Sequence, residues 1–502
     1  MSHVLDDRAL DAGSSSDDAY LEQLGYKPEL KRSLGQFSSF AMQFGNIAPI
    51  GGIVFTIGIS LTQVGSATLW PWLVAGGLQM LVAFCVAESC SSYPIAGGAY
   101  NIVSRLAGRF FGWQTGWWLE IAHIVSVSGS CVAIAPIIMS WFGVDNLSHW
   151  PTVGVTGALI LISTLINVAG VKVSSRFVNA GVWATIAACV VVSIILAAAL
   201  ILGNHPVHHV SYLLHANGTV SGSVFLPLMY AALLPSIVLN GFDVSGNASE
   251  ETRNASRSVP RGMIIANGSS YAFGTVVILL LLLAMTNVKD TVGATQPVTY
   301  ILEPVLGTPI AKTFEVLAVI GLYVSAVVLQ LAGARVFWAQ ARDGKLPAAR
   351  WMSRLNRDSV PAVGVWVGGV IAFLLVLWSS LYAVLIAMTV VLWVAGYGVL
   401  ITSMYVGKLR GVVPRPAFKV TAWQVLFPLA ILWSAVVCFV LIYQNPHDVG
   451  IGLAVVAAIG LGIYFFALPK ASVAEAIVHQ HEWVGAPNLT SSTAIPTTEV
   501  TR

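Results

Sequence analysis

The groups best placed for chemistry in this chain are backbone ones. Two apolar segments carry helix breakers at their centres, FGNIAPIGGIVF (44–55) and LPSIVLNGFDVSG (234–246). Proline and glycine pairs strip an apolar helix of internal hydrogen bonds. Hydrocarbon offers no replacement partners, so such breaks survive only inside protein or against water. In the first, Asn46 and Ile47 lead to Pro49, after which the amides of Ile50, Gly51 and Gly52 open a new helix at its positive end. An anionic group suits that end. In the second, between Pro235 and Gly241, the carbonyls of Val238, Leu239 and Asn240 close a helix and suit an ammonium group or small cation. Together they offer amides to a carboxylate and carbonyls to an amine. The first break alone also fits a packing kink at a helix crossing.

Charged side chains near these segments add candidates. Asp243 follows the second break and is expected first as the cap of the helix below it; orienting the unwound segment and meeting substrate are the alternatives. Glu120 and His123 stand three apart, on one helical face inside an apolar span. Such groups are candidates for carrying a coupling ion; the blander reading is a shared structural hydrogen bond. Glu88 ends an apolar span and reads as an inside gate or loop anchor, with a proton carrier as the alternative. Glu250, Glu251, Arg253, Arg257 and Arg261 cluster after the second break and read as a gate of ion pairs.

The elements that hold these residues are membrane helices. Of the 502 residues, 56% are hydrophobic and 9% charged, against about 25% charged in soluble domains. About twelve apolar stretches of spanning length begin near residues 37, 69, 112, 152, 178, 223, 260, 311, 362, 381, 422 and 449. With twelve spans and the N-terminus inside, 23 of the 25 Lys and Arg fall in inside segments; Lys289 and Lys312 alone fall outside. The expected organisation is an all-α polytopic membrane protein. A cytoplasmic N-terminal tail over 1–35 precedes a membrane domain over 36–470, and a cytoplasmic tail follows over 471–502. Within the domain, spans 1–5 fall in 36–203, spans 6–10 in 222–407 and spans 11–12 in 420–469.

Several functions are argued against. A net charge of +3 gives no nucleic-acid footprint. Cys85, Cys90, Cys131, Cys189 and Cys438 lie in apolar spans without metal or redox spacing. His205, His208, His209 and His215 share one polar loop without carboxylate or thiol companions, so no metal and no cofactor are expected. No phosphate-binding glycine loop and no constellation for enzyme catalysis occur.

The chain resembles the amino acid–polyamine–organocation superfamily of permeases. AESCSSYPIAGGAYN (87–101), GWQTGWWLE (112–120), FDVSGNASEETRNASRSVPRG (242–262) and ARDGKLP (341–347) carry the resemblance, which spans nearly all of 25–470. LGYKPELKRSLGQFSSF (24–40) is similar to the branch carrying 4-aminobutyrate (GABA), choline and related amines. The resemblance implies a five-plus-five inverted repeat with discontinuous first and sixth helices. It also implies a role for Ser325 of span 8 in holding sodium, as in sodium-coupled relatives. Pro49-Ile50-Gly51-Gly52 departs from the usual Gly-x-Gly, which shifts the expected amides by up to one residue. Span 5 lacks the lysine through which some relatives couple protons.

The expected function is secondary active transport, by alternating access, of an amino acid such as GABA or a related small amine across the cell membrane. A proton or sodium ion is the expected coupling partner, with the proton favoured. The alternatives are a choline- or polyamine-type amine carrier and a non-transporting nutrient receptor on the same fold.

Overall fold

In the computed structural model, residues 17–144, 148–203, 208, 210–218, 225–294, 296–377, 379–444 and 446–468 are described. The segment 471–502, expected as the C-terminal tail, lies outside them. Helices begin close to each expected start. In chain order they are α1 (Gln36–Ile47), α2 (Pro49–Val64), α3 (Leu69–Ser92), α4 (Gly98–Leu106), α5 (Arg109–Trp141), α6 (His149–Val168) and α7 (Val171–Leu202). Then follow α8 (Phe225–Ala231), α9 (Leu233–Val238), α10 (Val244–Asn247), α11 (Ala255–Ala284), α12 (Val288–Gly293), α13 (Pro297–Leu306) and α14 (Thr308–Arg342). The last are α15 (Ala349–Met352), α16 (Ala362–Val376), α17 (Ser379–Leu409), α18 (Trp423–Gln444) and α19 (Pro446–Gly462).

Nine helical stretches among the described residues are long and apolar enough to cross a membrane, and two shorter apolar ones cover Phe225–Val238 and Ala362–Val376. One of the nine, Gln36–Ser92, runs 57 residues. At about 1.5 Å per residue that far exceeds a hydrocarbon layer of about 30 Å. It turns at Gly65–Thr68, where Gly65 takes φ +56°, and so makes two passes. Large apolar side chains such as Ile194, Leu432 and Phe439 face outward, as lipid contact requires.

Both breaks lie where two hydrophobic clusters meet. One cluster holds Phe44, Phe242 and Val324; the other holds Ile47, Ile50, Val238 and Leu239. Polar backbone is thereby buried in protein, between α1–α2, α9–α10 and the long helix α14.

The N-terminal segment departs from the expected tail. From residue 17 it folds onto one end of the bundle, with a helix over 17–23 and with Leu21, Leu24, Leu30 and Leu34 buried. Leu34 N–H donates to the Glu251 carbonyl and Arg253 N–H donates to the Leu34 carbonyl, both at 2.9 Å. Four leucines give the strap its own apolar face, which an acidic overall composition concealed.

Candidate functional site

The first break is one residue wide. Ala48 stands in the left-handed region at φ +42° between α1 and α2, and Pro49 occupies the first turn of α2. Pro49 has no N–H, so one hydrogen bond of a continuous helix is missing there. A non-glycine residue held there costs about 1–3 kcal/mol, which surrounding packing must offset. The Gly52 amide donates to the Ala48 carbonyl at 2.8 Å, so the expected anion-binding role of the Gly52 amide is corrected. Helix geometry claims it because Ala48 already supplies the first i−4 acceptor. The Ile50 and Gly51 amides find no acceptor among the described residues.

The second break runs from Leu239 to Asp243, with Gly241 at φ +72°. Asn46 reaches across from α1, and its Nδ2 donates to the Asn240 carbonyl at 2.9 Å and the Gly241 carbonyl at 3.3 Å. The Asn240 carbonyl is therefore already partnered, a second correction. The Val238 and Leu239 carbonyls meet no donor among the described residues. Gln43, one turn before Asn46, donates to the Gly241 carbonyl at 3.0 Å and accepts from Ser245. Gly241 needs its glycine: a Cβ there would sit 2.2 Å from Asn46 Nδ2.

The two breaks are clamped face to face. A Cβ on Gly52 would lie 3.0 Å from a Val238 methyl, and one on Gly51 would lie 3.0 Å from the Ala318 carbonyl of α14. These glycines allow close helix crossing in this state.

Asp243 does not cap α10; its side chain makes no capping bond. Oδ1 accepts from the Tyr397 hydroxyl at 2.6 Å, and Oδ2 accepts from Asn247 Nδ2 at 2.8 Å. It is fully buried, with a relative exposure of 0%. Tyr397 escaped sequence reasoning because nothing in its helix marks it. Ser325 donates to the Asn46 carbonyl at 2.7 Å, tying α14 to the last turn before the first break. Glu120 and His123 are both buried, yet no bond joins them. His123 Nδ1 lies 2.6 Å from the Leu119 carbonyl, while Glu120 Oε2 and His123 Nε2 have no partner among the described residues.

At the strap end, the sequence motifs converge but pair differently from expectation. Glu251 is held by Arg335 at 2.6 and 2.9 Å, and Glu250 by Arg342 at 3.0 to 3.2 Å. Arg253 and Arg257 are exposed; Arg253 Nε donates to the Arg32 carbonyl. The short segment 249–253 turns its carboxylates inward onto α14 while Arg253, and Arg257 beyond it, face outward, so the expected Glu250/Glu251 partners are corrected. Glu88 pairs with Lys408 at 2.5 Å and accepts from the Val420 amide at 3.0 Å, linking α3 to the end of α17. Asp343 accepts from Tyr100 at 2.9 Å and Tyr26 at 3.1 Å. Burial pushes its carboxyl above the usual range despite Arg342 beside it. Burial pushes the Lys345 amine down to about 8, helped by Arg109. Arg335 and Arg342 had a legible signal in part: ARDGKLP begins one residue before Arg342.

No group of three His, Cys, Asp or Glu able to hold a metal occurs among the described residues. Of the loop histidines, His208 stacks on Tyr212 at 3.8 Å and His215 bonds the Ser211 carbonyl; His205 and His209 lie outside the described residues.

Comparisons with known proteins agree with this architecture. The Amino acid permease family matches residues 34–465. The chain is 29% identical to "Amino-acid permease BAT1" of Arabidopsis thaliana over 392 residues, 72% of this chain and 74% of that one. It is 29% identical to "Amino-acid permease BAT1 homolog" of Oryza sativa subsp. japonica, covering 73% and 75%. It is 26% identical to "Thiamine transporter thi9" of Schizosaccharomyces pombe, covering 72% and 68%. A multi-pass helical chain with paired helix breaks, matched by this family from the strap to the last helix, belongs to the amino acid permease family of membrane transporters of amino acids or related organic compounds.

Proposed function

We propose that this chain is a secondary active transporter of an amino acid or related small amine, of which GABA is one example, working by alternating access in the cell membrane. The observation that carries the reading is the contact of the two breaks: Gly52 lies against Val238 and Asn46 bonds the Asn240 and Gly241 carbonyls, next in chain to the Ile50 and Gly51 amides and the Val238 and Leu239 carbonyls, which find no partner among the described residues. A zwitterion offers complementary ends to those two sets. Val238 must withdraw from Gly52 for a ligand to enter, so the present state is closed over the junction. Asn46 and Ile47 shape its wall, and Asp243 supports it through Tyr397. Glu250–Arg342 and Glu251–Arg335 act as the inside gate, reinforced by Glu88–Lys408 and the strap.

The arrangement we favour has twelve spans in a five-plus-five inverted repeat plus two, with both termini cytoplasmic. Charge placement supports the orientation. A cation gradient, of protons or sodium, drives uptake; Glu120, His123 and Ser325 are the candidates to sense it. A labelled panel of amino acids and amines, offered to proteoliposomes under separate sodium and pH gradients, tests the reading. Accumulation of an amino acid supports it, and no accumulation of any member under either gradient sinks it. Asp290→Cys, at an exposed position within α12, is expected to react with an impermeant thiol reagent outside intact cells in a cysteine-free background. Labelling only after permeabilisation reverses the orientation.

A second reading is a carrier of organic amines without a carboxylate. The similarity to a protein named as a thiamine transporter favours it. Preferential accumulation of choline-like members of the panel would replace the amino-acid reading.

A further inference from the structure

The cavity enclosed by α5, α14 and α16 belongs neither to the junction of the breaks nor to the ion-paired end. Its walls include Glu120, His123, Gln330, Gly333 and Gly368. Its volume is about 10 Å³, room for about one water molecule. Two polar atoms without partners belong to the residues lining it, Glu120 Oε2 and His123 Nε2. Glu120 is 4% and His123 1% exposed. Buried polar atoms are rarely left unpaired, because each costs about 1–3 kcal/mol. Here two of them lie on residues one helical turn apart.

The neighbours leave these atoms free for a ligand. Gln330 is spent: its Oε1 accepts from Ser163 at 2.6 Å and its Nε2 donates to Thr164 at 2.7 Å. Gly333 makes the approach possible, since a Cβ there would lie 3.0 Å from His123 Cβ and 3.5 Å from Glu120 Oε1. A carbonyl only accepts, so the Leu119 carbonyl keeps the proton on His123 Nδ1 and leaves Nε2 as the site that gains or loses one. Charged groups around the pair are few. Asp243 faces His123 from the second break, and no charged side chain acts on Glu120 among the described residues. Arg335, two residues beyond Gly333, is committed to Glu251. Ser163 and Thr164 of α6 bond Gln330, Asn167 bonds the Val327 carbonyl, and Trp393 of α17 packs on His123 and on Tyr397.

A continuous column joins this cavity to the second break. The His123 ring lies 4.5 Å from that of Trp393, Trp393 lies 5.7 Å from Tyr397, and the Tyr397 hydroxyl holds Asp243.

We propose that the Glu120–His123 cavity is a proton-binding site, in which one water bridges Glu120 Oε2 and His123 Nε2, and that its state is read at the second break through Trp393, Tyr397 and Asp243. On loading, a proton from bulk water forms an O–H bond at Glu120 or an N–H bond at His123; on release it returns to water. With no cation beside it, an ionised Glu120 in the closed cavity lacks compensation, whereas the loaded pair completes its hydrogen bonds through the water. A charge arriving on His123 attracts Asp243 through the Trp393 stack, and that pull alters the hold of Tyr397 on the unwound segment. The site thus supplies the coupling ion for the transport reading above and rests on it.

The test uses the full chain in proteoliposomes with the same labelled panel, comparing uptake with and without an inward proton gradient. One pH unit supports up to about tenfold extra accumulation for one coupled proton. The wild type is expected to approach that ratio. Glu120→Gln and His123→Asn are each expected to bring their own ratio close to one, and Glu120→Asp to recover part of it. A Glu120→Gln ratio equal to the wild type's, or a wild type driven by sodium and indifferent to pH, overturns the proposal. A second readout does not depend on transport. On purified protein, pH-step infrared difference spectra in light and heavy water are expected to show a buried protonated-carboxyl band that Glu120→Gln removes. If the whole panel fails to accumulate while that band is present, the transport reading fails and the proton site stands. If the wild type shows neither that band nor an imidazolium band that His123→Asn removes, the proton site fails.

Discussion

The Tyr397 hydroxyl donates to Asp243 Oδ1 at 2.6 Å, across 154 residues of chain, and fastens α17 to the unwound segment between α9 and α10. Both groups are buried, and Asn247 takes the other oxygen of the carboxylate. Backbone that has surrendered its helix is thus held by side chains. Tyr397→Phe leaves one oxygen of a buried carboxylate without its donor, a loss of about 1–3 kcal/mol. We expect a lower unfolding temperature and substrate affinity weaker by about five- to a hundredfold. Thermal unfolding and equilibrium binding on purified protein check both; unchanged values would mean the bond does not hold the segment.

The Glu251–Arg335 pair is buried at 2% and 1% exposure and is bidentate. Removing one partner of such a pair costs about 3–5 kcal/mol, because the other charge stays buried alone. Glu251→Ala is expected to destabilise the chain and to raise the accessibility of Ser245→Cys from the strap side. The exposed Arg257→Ala, by contrast, is expected to change stability by less than about 0.5 kcal/mol. Thiol labelling rates and unfolding midpoints separate the two. Equal behaviour of the two variants would remove Glu251–Arg335 from the gate.

Gly51 and Gly77 make a matched comparison within membrane helices. A Cβ on Gly51 meets the Ala318 carbonyl at 3.0 Å and Leu322 at 3.1 Å, whereas one on Gly77 meets nothing within 4 Å. Backbone of α14 cannot swing aside as a side-chain tip does. Gly51→Ala is therefore expected to cost about 1–3 kcal/mol through overpacking. Gly77→Ala is expected to be neutral or stabilising by up to about 0.5–1 kcal/mol. Unfolding midpoints in detergent decide it, and an unaffected Gly51→Ala would show that the α2–α14 crossing can relax.

Lys345 lies just beyond α14, with its amine pushed down to about 8 by burial and by Arg109. Its neutral, nucleophilic form therefore gains on the charged one well below the pH at which exposed lysines, near 10.4, lose their proton. Acylation followed by peptide mapping is expected to show a midpoint near 8 at Lys345. A midpoint near that of an exposed lysine, about 10.4, would argue that water reaches Lys345 freely.

Composition and apolar length alone carried the class of this protein. Helices start near each expected position because hydrocarbon admits only segments that satisfy their own backbone, a local property that Leu, Val, Ile and Ala runs declare. The breaks at Ala48–Pro49 and Gly241 were legible for the same reason: proline and glycine act on their own turn. Which backbone groups stay open was not legible. The Gly52 amide and Asn240 carbonyl are claimed by Ala48 and Asn46, and only the crossing of α1 with the second break brings Asn46 there. The gate residues were half visible. Glu250 and Glu251 stand out as charges after an apolar span, but their partners Arg335 and Arg342 lie more than eighty residues on, and ion pairing leaves no trace in spacing over that distance. The strap over 17–34 was read as a tail because charge dominates its composition, while its four leucines acquire a surface to bury against only once the bundle exists. Tyr397 was invisible: its hydroxyl matters only because tertiary packing sets it against a buried carboxylate.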